Sequence, residues 1–269
     1  MEMKKVLTIA GSDTSGGAGI QADLKTFQEH GVYGMTALTT IVTMDPDNHW
    51  SHGVHPVPID TIEAQLKTAM SVGIDAMKTG MLATAEIIEV AAKHMKASGS
   101  DKIVIDPVMV CKGEDEVLNP EAPVAMREFL LPIAAVVTPN LFEAGQLSQL
   151  GPIRTVDQMK EAAQKIVDLG AKSVVIKGGK QLEHEKALDL FYDGSDFTVL
   201  EAEKVATTYN HGAGCTFAAA VTANLANGKD MKTAVSNAKD FVSAAIRHGF
   251  KLNEYVGPVM HGAFNRIQK

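Results

Sequence analysis

Apolar and polar positions along this chain follow two rhythms that take turns. Residues 6–10, carrying Val6, Leu7, Ile9 and Ala10, form a short apolar run of the kind that reads as a strand buried on both faces. Residues 18–30 then place Ile20, Leu24 and Phe27 on one helical face and stop at Gly31. The alternation continues. Strands are predicted at 35–44, 75–78, 103–105, 134–138 and 173–176. Helices are predicted at 61–70 with Asp60 as cap, 85–97 ended by Gly99, 123–131, 141–150 and 156–169. After that the rhythm changes. Residues 187–192 and 197–201 flank Asp193-Gly194-Ser195, an antiparallel hairpin signal. Two helices, 216–227 and 231–248, finish the pattern, the second with Val235, Ala238, Val242, Ala245 and Ile246 as its apolar stripe. Repeated strand–helix units predict a three-layer α/β/α arrangement with a mostly parallel central sheet and an antiparallel edge, in one domain spanning residues 1–269. Ligands of such sheets bind beyond the carboxyl ends of the strands, where the motifs below fall.

Composition narrows the function classes. With 45% hydrophobic residues in 269, the chain can bury a sizeable core, and 13 Met against 5% aromatics make that core aliphatic and Met-filled. A formal net charge of −7 argues against nucleic acid as the main partner and leaves room for a local basic pocket. The two cysteines, Cys111 and Cys215, are too few for a disulfide framework. His49, His52 and His55 recur every three residues, but beside Asp45-Pro46-Asp47-Asn48 and before Pro56 and Pro58 they read as a solvated loop rather than a metal site. No signal-peptide core or membrane-length apolar run is present, so the expectation is a soluble, cytoplasmic protein without membrane or nucleic-acid partners.

Five motifs carry candidate chemistry. In Tyr209-Asn210-His211-Gly212-Ala213-Gly214-Cys215-Thr216 a small-residue turn runs into an Ala-rich helix, which can leave several amides unpaired and favour an anion. Cys215 at that helix start is expected to have its thiolate stabilised by the helix dipole and its pKa lowered. An anion cradle beside a proton acceptor suits phosphoryl transfer to an alcohol, although a plain turn with a buried Cys gives the same pattern. Gly17-Ala18-Gly19-Ile20-Gln21-Ala22 fits a dinucleotide fingerprint, but residues 11–16 separate it from its strand as a polar insertion, which favours a substrate pocket. Asp23, one turn after Gly19, either points back to that loop or lies on the surface. Asp106-Pro107-Val108-Met109-Val110-Cys111-Lys112 ends a strand and opens an irregular stretch that could act as a flap excluding water, with Cys111 either in the chemistry or in packing. Thr138-Pro139-Asn140-Leu141-Phe142-Glu143 puts Asn140 and Glu143 at one helix start, as a capping box or as groups for hydrated Mg²⁺ and phosphates. Lys177, Gly178, Gly179 and Lys180 form a nucleotide edge or a turn into the hairpin.

With these motifs in this order, essentially the whole chain resembles the ribokinase superfamily, and within it the hydroxymethylpyrimidine kinase/pyridoxal kinase-like branch. Residues 9–27, Lys78-Thr79-Gly80-Met81-Leu82, Asp106-Pro107-Val108-Met109 and His211-Gly212-Ala213-Gly214-Cys215-Thr216 carry the match. The resemblance implies a ribokinase-like fold, ATP and Mg²⁺, and phosphate transfer to a hydroxymethyl group on a heteroaromatic ring. It assigns Asp23 to a ring contact, and Gly11, Met81 and Val108 to the substrate pocket. It assigns Asn140 and Glu143 to metal and phosphate, Glu143 through water. Lys177, Gly178, Gly179, Lys180 and Gln181 fall on the ATP edge, and Gly212, Ala213 and Gly214 on the anion hole. Cys215 stands where many members carry Asp. Hydroxymethylpyrimidine kinases carry Gln where this chain has Met44, and Met cannot hydrogen-bond a pyrimidine amine. The chain therefore resembles the two-cysteine pyridoxal kinases of the branch. A thiolate at 215 could add to the pyridoxal aldehyde as a hemithioacetal, with Cys111 assisting proton removal. The analogy also implies a homodimer. A binding protein that has lost catalysis and a dinucleotide oxidoreductase are the other classes.

Overall fold

The computed structural model describes residues 2–109 and 119–267. Among these a nine-stranded sheet is built from β1 (Lys5–Asp13), β2 (Tyr33–Asp45), β3 (Ser51–Pro56), β4 (Ala76–Thr79), β5 (Ile103–Ile105), β6 (Val136–Val137), β7 (Val174–Lys177), β8 (Ala187–Tyr192) and β9 (Phe197–Ala202), in the order β3-β2-β1-β4-β5-β6-β7-β8-β9. The strands from β2 across to β7 are parallel, while β3 on one side and the β8–β9 hairpin on the other are antiparallel.

Alternation along the strands sorts the core into two layers. Ile103, Ile105, Val137, Val174 and Ile176 face one helical layer, made by α2 (Ile59–Met70), α3 (Ala85–Ala97), α5 (Leu141–Ser148) and α6 (Val156–Asp168). The residues between them, Val104, Val136 and Val175, face α7 (Ala213–Ala226) and α8 (Met231–Arg247) on the other side, where α1 (Gly19–Glu29) also packs. α7 is buried on nearly every face, and its alanines let the sheet, α1 and α8 approach closely. The protein is thus a three-layer α/β/α structure of the ribokinase-like kind. The chain moves outward from β1 to β2 and β3, then returns to β4 on the opposite side of β1. That reversal opens a crevice at the carboxyl ends of β1 and β4.

Local differences from the sequence reading have physical causes. β1 does not stop at residue 10 but runs on through Gly11 and Ser12 to Asp13, with a register shift between Ala10 and Ser12. Gly11 fits there because a Cβ would lie 2.7 Å from Thr40 Cγ2 on β2. Residues 11–13 are therefore strand, not a polar insertion. Of the histidine-rich segment, His49 lies in a turn, whereas His52 and His55 are on a strand, β3, paired Met44 to His52 and Val42 to Val54. Within 123–131, α4 (Ala122–Ala125) opens into a wide turn at Met126–Leu130, in which the Leu131 amide reaches the Met126 carbonyl. A tight turn at Leu131–Ile133 follows, since Pro132 has no amide to continue the helix. Asp60 lies inside the first turn of α2 rather than at its cap, which is Pro58, and accepts the Thr61 amide at 2.7 Å. A short closing helix, α9 (Ala263–Ile267), had no periodic signal long enough to predict.

Candidate active site

A cleft of about 380 Å³ lies at the carboxyl ends of the parallel strands, a size suited to a small ligand. The β1 bulge supplies Gly11, Ser12 and Asp13, and the start of α1 supplies Ala18 and Gly19. Val42 and Met44 of β2 stand beside His52 of β3. Lys78, Gly80 and Met81 come from the end of β4, Asp106 and Val108 from the end of β5, Asn140 and Glu143 from α5, and Lys177 from β7. Gly212, Ala213, Gly214 and Cys215 close the wall from the start of α7.

Gly212 caps α7 with φ +80°, a conformation that favours glycine. The Ala213 amide is already taken by the Asn210 carbonyl at 3.2 Å. The anion turn therefore rests on Gly214 and Cys215, whose first-turn amides have no helical carbonyl to meet. Lys177 Nζ lies over this turn, 3.3 Å from where a Gly214 Cβ would be, and 3.4 Å from Asp106 Oδ1. Burial works against the Lys177 charge, but Asp106 and then Glu143 outweigh it and raise its pKa.

Asp23 is not on the cleft wall, which corrects its expected ring contact. It is fully buried one layer below, with both carboxylate oxygens 2.9 Å from Lys78 Nζ and Oδ2 accepting Thr8 Oγ1 at 2.6 Å. Its helical position was read correctly, but it faces the sheet, where a lysine in the middle of the apolar strand β4 required a partner. Burial opposes the Lys78 ammonium, yet Asp23 and Asp106 raise its pKa, so a fixed positive charge sits on the cleft floor.

Cys215 faces this floor and not an aliphatic core. Its thiol behaves opposite to expectation. Burial pushes it up to about 12; Lys78 pulls down, Asp106 and Asp23 push up, and a hydrogen bond from the Gly19 amide pulls down. A thiolate would be a further anion among carboxylates, and the helix terminus does not offset that. Cys215 is a neutral thiol near pH 7, so thiolate addition to an aldehyde is not assigned to it.

Asn140 and Glu143 form a full capping box: Asn140 Oδ1 accepts the Glu143 amide at 2.9 Å and Glu143 Oε2 accepts the Asn140 amide at 2.8 Å. Cap and cleft wall are the same residues. With its oxygen engaged, Asn140 presents an NH₂ donor, which suits phosphate and not metal ligation. Burial raises the Glu143 carboxyl to about 7, opposed by Lys177 and reinforced by Asp106. Among the described residues no group of three His, Cys, Asp or Glu side chains forms a cage. The Glu143 Oε1 left outside the box fits the mode in which Mg²⁺ keeps its waters and meets phosphate oxygens.

Gly178, Gly179, Lys180 and Gln181 do not line the cleft. The Gly178 amide donates to the Leu188 carbonyl and to Asp189 Oδ1, both at 3.1 Å, and a Cβ there would lie 2.3 Å from the Leu188 oxygen. That glycine serves hairpin packing. Lys180 Nζ donates to the Thr207 carbonyl. Cys111 and the flap around it lie outside the described residues. The sequence reading missed Lys78, Asp106, Asp13 and His211 as site residues. The signals available were a charge inside an apolar strand, an Asp directly at a strand end, and a His directly before a glycine turn.

Residues 13–260 match the phosphomethylpyrimidine kinase family. The chain belongs to that family. Within it the chain groups with the pyridoxal/pyridoxine kinases of the ribokinase-like branch. It is 61% identical over 270 residues to the pyridoxine kinase of Bacillus subtilis (strain 168), covering 100% of both chains. A solved structure of the pyridoxal kinase from Staphylococcus aureus in complex with pyridoxal superposes with a TM-score of 0.95 at 60% identity, covering 99% of this chain and 96% of that one. An ADP complex of Bacillus subtilis pyridoxal kinase superposes with a TM-score of 0.96 at 61% identity, covering 98% of this chain and 100% of that one. In this member of the phosphomethylpyrimidine kinase family, Met44 lines the cleft.

Proposed function

We propose that this protein is an ATP-dependent pyridoxal/pyridoxine kinase that transfers a phosphoryl group to the 5′-hydroxymethyl oxygen of the ring. The observation that carries the reading is the convergence in one cleft of the α7 anion turn, the Lys177 ammonium and Cys215 over the Lys78 floor. The Staphylococcus aureus complex with pyridoxal and the Bacillus subtilis complex with ADP support the two ligands. Phosphoryl transfer passes through a loose transition state that asks little of a base and much of positioning and charge. A thiol with a pKa of about 12 is consistent with that. Cys215, a neutral thiol, relays the alcohol proton late: its sulfur accepts that proton as its own S–H proton passes to an oxygen of the transferring phosphoryl group, while the new P–O bond forms. The Gly214 and Cys215 amides and Lys177 hold the charge of the transferring group. Asn140 donates to phosphate, and Glu143 is the residue that would hold hydrated Mg²⁺ through water, where the metal would supply neutralisation of phosphate charge. Gly11, Met81 and Val108 cradle the ring, and Met44 denies a pyrimidine amine its hydrogen bond. The strip Gly178, Gly179, Lys180 and Gln181 holds the nucleotide beyond the cleft. The same reading takes residues 1–269 as one kinase domain, active in the cytoplasm as a homodimer, which sedimentation would check. The deciding experiment is competition of pyridoxal and hydroxymethylpyrimidine for ATP in one tube, read by mass spectrometry. Preferential phosphorylation of pyridoxal is expected, and preference for the pyrimidine overturns the reading.

A further inference from the structure

Two turns from opposite ends of the chain meet at the cleft through one pair of side chains. Asp13 ends β1, and its carboxylate organises the turn that follows: Oδ1 accepts the Ser15 amide at 2.8 Å and Oδ2 the Ala18 amide at 2.7 Å. Oδ2 also accepts His211 Nε2 at 2.7 Å, across 198 positions of sequence. His211 is held from behind: its amide donates to the Gly257 carbonyl and its carbonyl accepts the Val259 amide, both at 3.1 Å. The residue after it, Gly212, caps α7 and begins the anion turn.

The two turns touch without room for a side chain. A Cβ on Gly212 would lie 1.8 Å from the Gly17 carbonyl oxygen, and a Cβ on Gly17 would lie 2.5 Å from His211 Cδ2. Gly19, on the same substrate-side turn, lines the cleft together with Cys215. Asp13 and His211 are 5% and 8% exposed, so water does not compete strongly for their bond. Burial opposes ionisation of Asp13, but hydrogen bonds from His211 and Ser15 hold its pKa at about 2, so it accepts throughout any assay range. A shift of about 1 Å between reacting groups can cost on the order of 100-fold in rate.

We propose that Asp13 and His211 are a positioning pair that clamps the anion turn to the β1–α1 turn and so fixes the distance between the acceptor alcohol and the transferring phosphorus. The role rests on the kinase reading above, and neither side chain makes or breaks a bond in it. The pair acts through Gly212, Gly214 and Cys215 on one side and Gly11 and Gly19 on the other. Loosening it misaligns bound substrates without preventing their binding, so the loss falls on kcat.

The test uses His211→Ala, His211→Gln, Asp13→Asn and the double variant Asp13→Asn/His211→Ala in the full chain. Turnover is normalised to the folded fraction, because loss of a buried pair also lowers Tm. His211→Ala is expected to lower kcat about tenfold or more, with KM for pyridoxal and ATP within about twofold of wild type. His211→Gln, whose amide NH₂ can reach the Asp13 carboxylate, is expected to recover most of that loss. The double variant is expected to fall well short of the product of the two single losses, since both changes break the same Asp13–His211 bond and Asp13→Asn alone also disturbs the Ala18 amide contact. Unchanged kcat per folded molecule, losses that multiply in the double variant, or a rise in KM alone would overturn the proposal. A substrate-independent arm separates this outcome from failure of the kinase reading. Alkylation of Cys215 by iodoacetamide, followed by peptide mass spectrometry, should change at least about threefold in His211→Ala and return in His211→Gln. An unchanged Cys215 rate overturns the clamp whatever the substrate proves to be.

Discussion

Glu143→Gln should remove a specific pH dependence from the stability of the ligand-free protein. Glu143 is 4% exposed and its carboxyl is raised by burial from 4.5 to about 7. The folded state therefore holds a proton that the unfolded chain releases near pH 4.5. Between those values the folded state binds more protons than the unfolded one, so stability falls as pH rises from about 4.5 to about 7. At about 1.4 kcal/mol per pKa unit, the accumulated loss is roughly 3 kcal/mol. Gln is a good test residue because it cannot ionise yet can still accept the Asn140 amide from the third helical position. Urea unfolding at pH 5 and pH 8 reads the effect. Relative to the variant, wild type should lose roughly 3 kcal/mol between the two pH values. Magnesium–nucleotide binding at pH 7 should release up to about half a proton from wild type and none from the variant, visible as a buffer-dependent heat. If wild type and Glu143→Gln trace parallel stability profiles across this window, the buried protonated carboxyl is wrong.

Cys215→Ala should lower kcat about 100-fold, at the low end for loss of a positioned proton-transfer group, with pyridoxal binding retained by calorimetry; normal ATP consumption would remove the thiol from the mechanism. Met44→Gln should raise kcat/KM for hydroxymethylpyrimidine relative to pyridoxal by about tenfold, the value of one good neutral hydrogen bond, in a two-substrate competition. Lys78→Met should destabilise the protein by about 3–5 kcal/mol in chemical denaturation, because it strands the Asp23 carboxylate without its cation in a fully buried position.

The layered core was legible because strands buried on both faces and amphipathic helices write different periods into a chain. The helix Ala85–Ala97 and the strand Ile103–Ile105 end where Gly99 and Asp106-Pro107 say they should. β3 was hidden because its residues, Ser51, His52, Gly53, Val54, His55 and Pro56, carry little strand preference and are placed by pairing with β2. In the cleft, Gly212, Gly214, Asn140, Glu143 and Lys177 were readable from glycine placement and strand ends. The direction of the Cys215 shift was not. The helix-terminus argument is local, whereas Asp106 comes from β5, Asp23 from α1 and the burial from all layers at once. Asp23 failed for the same reason. Its spacing from Gly19 is a property of the helix, but its facing is decided by Lys78, which lies 55 residues away.

The anchored ammonium beneath the cleft sets a conflict between robustness and turnover. An ion pair with both side chains fully enclosed gains little over apolar side chains of similar volume, so exchanging Lys78 and Asp23 together for such residues is the kind of change that hardens a fold against denaturation. It would also leave the floor electrically blank at the spot where the sulfur of Cys215 must tolerate incipient negative charge. Selection for thermal endurance alone would erode this site from underneath while leaving the anion turn, Lys177 and Cys215 in place.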